Sequence, residues 1–140
     1  MSVFRYLAIF VIFLIIFFGN YLFYGVLSAE FFENHVGTAT NVQKEDVDMT
    51  FIALGSLIQA WILTILYTQW SKGKHQLMKG FLFGGTVGIF TGFGMGFVMY
   101  GTTNLFDLNA YLVDGIWQVV IYGIAGAAIS AIMNRSKAKE

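Results

Sequence analysis

Apolar residues in this chain gather in four long runs, not at alternate positions or on one helical face. The runs are Phe4 to Leu27, Met49 to Trp70, Gly80 to Tyr100 and Ala110 to Met133. Each is close to the ~20 residues that a helix needs to cross about 30 Å of hydrocarbon. A strand of a membrane barrel would alternate apolar and polar residues, and these runs do not. The expected fold is all-α. A single transmembrane domain covers residues 1–140, an up-down-up-down four-helix bundle with an outer segment over 28–48. The first run is longer than the apolar region of a signal peptide, so it is expected to remain as a span.

The polar stretches punctuate these runs. Most are short, which makes consecutive helices antiparallel partners. In the long outer segment, Thr40 and Gln43 have the spacing of a capping box. Glu45, Asp46 and Asp48 follow, where a helix dipole favours anions. The second helix is therefore expected to begin near Asn41 and project above the membrane. Phe31 and Phe32, between Glu30 and Glu33, suit either a short segment lying at the membrane interface or an irregular loop with its aromatics at headgroup level.

Composition strengthens the membrane reading. Hydrophobic residues make up 57% of the chain and charged residues only 11%, against about 25% charged in a typical soluble domain. Such hydrophobicity excludes disorder. Eight Lys and Arg balance eight Asp and Glu, so no basic face for nucleic acid arises. The absence of cysteine excludes disulfides, thiolate metal sites and a cysteine nucleophile.

Charge placement sets direction. Arg5, Lys72, Lys74, Lys79, Arg135, Lys137 and Lys139 fall on one side of an up-down-up-down bundle, and only Lys44 on the other. Basic residues stay cytoplasmic, so both termini are expected in the cytoplasm and the chain in the inner (cytoplasmic) membrane. Glu30, Glu33, Glu45, Asp46, Asp48 and Asp107 make the outer side acidic.

Gly80, Gly84, Gly88, Gly92 and Gly96 recur every fourth residue in the third run. Small residues at that spacing let helix backbones approach closely in lipid. The stripe is expected to pack against the first or fourth helix. A dimer seam and a pore lining are the other readings.

The polar residues within the runs share a depth. At 1.5 Å per helical residue, Asp114 lies about 9 Å below the acidic side and Gln118 about 15 Å. Asn20 and Gln59 fall at roughly 12–14 Å, with Thr91 in the same layer. Tyr24 and Tyr100 lie above it. Asp114 is the only charged residue in a run's core. A carboxylate in hydrocarbon is costly and faces protein or water. It calls for a proton, a bound cation, or donors such as Asn20, Tyr24 or Trp117. Asn20, Tyr24, Gln59, Tyr100, Asn104, Asp114, Trp117 and Gln118 are the candidate pocket. The bland alternative is an interfacial Asp near its helix start, bonded to neighbours for structure. Tyr6, Tyr67, Trp70 and Tyr111 sit at run ends and read as interfacial anchors.

Other chemistry finds little footing. His35 and His75 fall on opposite sides, so they form no shared metal site. No Ser or Thr has a basic partner at its depth, and no phosphate-binding loop is present. No catalytic residues, metal or cofactor are expected, and the chain is not expected to be an enzyme.

Tyr100, Thr103, Asn104, Leu105, Val113, Asp114 and Trp117 carry a further signal. Their spacing resembles a signature of small bacterial four-helix inner-membrane proteins of unknown function. Gly101 replaces that signature's Asp, and Gln118 replaces its Gly. The opening hairpin, with Gly19 and Tyr24, resembles another such family, with Phe23 in place of a Trp. The resemblance covers about half the chain. It implies four helices and an Asn-Asp-Trp cluster, and no activity.

Two functions remain open. One is a small membrane protein that binds or transports a cation, proton or small polar solute through a polar intramembrane pocket. The other is a structural or accessory subunit of a membrane assembly. The expected partners are the lipid bilayer, with a second copy of the chain or other membrane subunits. Nucleic acid is not among them.

Overall fold

The computed structural model describes residues 2–138. Lys139 therefore lies outside the described residues. The chain is all-helical, and four helices are long and apolar enough to cross a membrane: Val3–Leu27, Met49–Ser71, Leu77–Thr102 and Leu108–Lys137. In lipid every backbone polar group must find its partner internally, which a helix does within one segment.

The first span comprises α1 (Val3–Leu22) and a π-helical turn, Phe23–Leu27. Ser28 closes that wider turn, donating to the Phe23 carbonyl from its amide at 2.8 Å and its hydroxyl at 2.6 Å. α2 (Ala29–Asn34) follows. The third span joins α4 (Leu77–Gly88) to α5 (Met95–Thr102) through a second π-helical stretch, Ile89–Gly94.

α3 (Met49–Ser71) begins later than the sequence suggested. Asp48 caps it, its carboxylate accepting from the amides of Thr50 and Phe51 at 3.1 and 3.3 Å. Asn41 instead has a left-handed φ of 55°, which helical backbone does not adopt. The Thr40–Gln43 spacing therefore caps nothing. Phe31 and Phe32 lie in a short helix, α2, and not in an irregular loop.

The segment after α2 is tied down instead. Gly37 N–H donates to Leu105 O (2.8 Å), Ala39 N–H to Asn104 O (3.0 Å) and Asp107 N–H to His35 O (2.9 Å). A Cβ on Gly37 would strike the Asn104 backbone, so glycine permits this approach. Asp107 then caps α6 (Leu108–Lys137), accepting from Ala110 N–H at 3.0 Å.

α6 is the most enclosed span, 44% buried over its most apolar window against 17% for the first span. Ile121, Ala125 and Ile129 meet Ile12 and Ile16 of α1 and Ala60 and Leu63 of α3 in the core. On the other side α4 lies against α6 backbone to backbone. Gly80 faces Gly126, Gly84 faces the Tyr122 carbonyl, Gly88 faces Gln118 and Val119, and Gly92 faces Gly115. Gly96 meets only the Tyr111 side chain. The outward surfaces stay apolar, with Phe10, Phe51, Trp61, Phe90 and Val98 exposed, as lipid-facing residues must be.

Tyr67 and Tyr111 depart from the anchor reading. Tyr67 is fully buried and Tyr111 is 9% exposed, whereas Tyr6 and Trp70 are at least half exposed. Tyr67 turns into the core, where its hydroxyl shares a 3.2 Å hydrogen bond with His75 Nδ1.

Candidate functional site

Asp114 lies nearly two turns into α6, facing the π turn that ends the first span. The Tyr24 hydroxyl donates to Asp114 Oδ1. The same Tyr24 oxygen accepts from Gln118 Nε2–H at 3.0 Å. One turn of α6 thus supplies both partners of Tyr24, because residues four apart share a helix face. Among the described residues Asp114 Oδ2 accepts no hydrogen bond.

Two further bonds fasten neighbouring helices. Trp117 Nε1–H donates to Asn20 Oδ1 at 2.8 Å, and its indole stacks on Phe23 at 4.3 Å with a 6° interplanar angle. The Tyr122 hydroxyl donates to Gln59 Oε1 at 3.0 Å, joining α6 to α3. Gly19 makes the α1 approach close, since a Cβ there would press on the Ile121 side chain.

The polar residues border two cavities. The first, about 370 Å³, is lined by Tyr24, Phe32, Phe106, Tyr111 and Asp114, with Glu33 and Gln43 among the exposed lining residues. The second, about 550 Å³, lies between the first span and α3 and is lined in part by Asn20, Tyr24, Ser56 and Gln59. Tyr24 and Gln43 border both. Among the described residues no Lys or Arg lines either cavity. The first therefore holds two carboxylates, Asp114 and Glu33, with no opposite charge in its wall.

Comparison of the chain with protein-family models, with curated proteins and with solved structures yields no match. The site's chemistry is accordingly read from its own residues.

Of the candidate pocket residues, Asn20, Tyr24, Asp114, Trp117 and Gln118 come together on the first span and α6. Gln59 is linked to α6 only through Tyr122. Asn104 and Tyr100 stand apart. Asn104 is exposed and its carbonyl is committed to Ala39. Tyr100 is 46% exposed and rests edge-on against Tyr111. Thr91 turns to its own helix, donating to Val87 O at 3.1 Å. The single layer expected from depth is thus split, because equal depth does not mean a shared face.

Sequence reasoning missed Phe32, Phe106, Tyr111 and Tyr122. Tyr111 and Tyr122 carried a signal. They lie one turn before Asp114 and one turn after Gln118, on the same strip of α6. Phe32 and Phe106 carried none, since their place depends on the pairing of 35–39 with 103–107.

The opposite end of the molecule is basic. Lys72, Lys74 and Lys79 line one surface hollow, and Arg5 borders another with Thr68 and Gln69. Burial, then the charge of Lys137, lowers the pKa of His75 from its usual 6.5.

Proposed function

We propose that this chain is a multi-pass protein of a cytoplasmic (inner) membrane and binds a small positively charged solute at Asp114. The observation that carries this reading is a carboxylate on a cavity wall that, among the described residues, has no basic residue. One oxygen is oriented by Tyr24, and the other is free to meet a guest. A carboxylate in such surroundings favours a positive partner, and the acidic end concentrates cations at the cavity. A proton, a metal ion and a cationic polar solute all fall within this reading.

The bundle runs up-down-up-down, with both termini cytoplasmic and the cavity open to the outer side. Support comes from grouping of Arg5, Lys72, Lys74, Lys79 and Lys137 at the end opposite Glu33 and Asp107, in accord with the bias of cytoplasmic loops toward Lys and Arg.

A second reading, an accessory subunit, draws on the cavity between α1 and α3. A Cβ at Gly55, on its wall, would meet nothing within 4 Å, leaving room for a foreign helix.

Thermal unfolding of the purified protein with a panel of small solutes tests the first reading. A guest that binds only the folded state raises the melting temperature. Positively charged solutes are expected to stabilise the wild type and not Asp114→Asn, which keeps size and loses charge. Equal shifts in both proteins, or shifts only with anions, would overturn it.

A further inference from the structure

We infer that the cavity bounded by Tyr24, α2, the 103–107 loop and α6 is an aromatic cage for an organic ammonium ion, with Asp114 as its counter-charge. This rests on the cation-binding reading above and narrows its guest.

Four rings follow one another around the cavity. Tyr24 and Phe32 have centroids 5.5 Å apart, Phe32 and Phe106 6.0 Å, and Phe106 and Tyr111 6.2 Å. The last two pairs meet at 80° and 86°, the angles of adjoining walls of a box. Aromatic faces attract a cation within about 6 Å of the ring centre, and cages of this kind recognise alkylated ammonium groups. Asp114 offers Oδ2, which no protein group engages among the described residues.

The alternatives fit less well. A proton fills no volume, yet the cavity holds about 370 Å³, within the range of about 300–1,000 Å³ for small-molecule sites. A hard metal ion wants about six oxygens. Among the described residues no cluster of three His, Asp or Glu could hold one. Most of the wall is carbon, from the rings together with Met99, Leu105 and Ala110. An alkylated ammonium ion suits both features, since its charge is spread over apolar carbon.

Calorimetric titration of the full-length protein in detergent tests the cage. The probes are choline, its uncharged isostere 3,3-dimethylbutan-1-ol, and sodium ion. Choline is expected to bind at least about tenfold more tightly than the isostere. Phe106→Leu, which keeps apolar bulk and removes the ring, is expected to weaken choline about tenfold and leave the isostere unchanged. Asp114→Asn should weaken choline by a similar factor or more. Circular dichroism checks that each variant is folded, and the choline–isostere comparison needs no variant at all. Equal affinity for choline and its isostere, or choline binding unmoved by Phe106→Leu, would overturn the cage. Asp114-dependent sodium binding without choline binding would overturn the cage and leave the cation site standing. Binding of neither cation would overturn the cage, and the thermal-unfolding panel then decides the cation site by itself.

Discussion

The two sides of α6 are built on opposite rules. Toward the third span, α4 and the π-helical stretch after it, the contact is backbone on backbone. A Cβ on Gly92 would lie 2.7 Å from the Gly115 Cα, and one on Gly88 2.6 Å from the Val119 Cα. Toward the first span the contact is side chain on side chain, through Tyr24, Trp117 and Gln118. Lipid supplies no hydrophobic drive between helices, so association rests on close packing and on hydrogen bonds. Close packing needs side chains removed, whereas hydrogen bonds and cavities need them present. By docking α4 through glycine, α6 is held firmly on one side. Its other side is left free for Asp114 and the cavity beside it.

The comparison breaks most visibly at the seam. Gly84→Leu sets a side chain on the Tyr122 carbonyl, and backbone cannot move aside as a flexible side chain can. The expected loss is at the upper end of the roughly 1–3 kcal/mol typical of overpacking, or beyond it. Loss of the monodisperse species in detergent would show it. Gly55→Ala is the matched control. Nothing lies near its Cβ, so a gain of about 0.5–1 kcal/mol is expected from helix propensity. Equal stability of Gly84→Leu and wild type would mean that the seam is not a backbone contact.

The α1 side should yield by smaller steps. Tyr24→Phe removes the donor to Asp114 and the acceptor for Gln118. A loss of about 1 kcal/mol is expected, near the upper range of single interhelical bonds in membranes. Pairing it with Asp114→Ala, which removes the acceptor, in a double-mutant cycle isolates the shared bond. Additive losses would show that the two side chains do not interact. Trp117→Phe gives up the bond to Asn20 and the packing of the indole's outer ring beside Gly19, while an aromatic ring remains to stack on Phe23. About 0.6 kcal/mol is expected, and reversible unfolding in mixed micelles measures both variants.

The smallest effect belongs to neither side, and it calibrates both. His75 has its pKa lowered by burial and then by Lys137. Below pH 6.5 the unfolded chain therefore binds a proton that the folded chain resists. The stability that neutral His75 contributes is complete above that pH and is lost as the pH falls through the folded-state value. His75→Gln should flatten this part of the stability–pH curve and leave the response of the Asp114 cavity to cations unchanged. An unaltered slope would assign the titration elsewhere.

Transfer into lipid acts residue by residue, and so the spans were legible from hydropathy alone. Their boundaries were less so. Thr40–Gln43 and Asp48 both offer capping chemistry, and the choice fell to Asp48 because the 35–39 segment is held against 103–107. The chain's own residues marked Asp114 as exceptional and grouped Asn20, Tyr24, Trp117 and Gln118 near it by depth. Depth also drew in Tyr100 and Asn104, which the fold turns elsewhere.

The sequence by itself determined four apolar spans, a basic set of loops opposite an acidic set, one isolated carboxylate and a stripe of glycines. Each is a property of composition or of spacing along one helix, where neighbours are fixed at three or four residues. Only the tertiary structure decided that the stripe meets α6, that Tyr24 reaches Asp114 across 90 residues, and that Phe32 and Phe106 join Tyr24 to Tyr111 in a row of aromatics. Those pairings depend on the rotation and register of one helix against another. The π turn at Phe23–Leu27 gives the chain wider than α-helical winding where Tyr24 leaves it. That changes which face Tyr24 presents, and no hydropathy pattern records it.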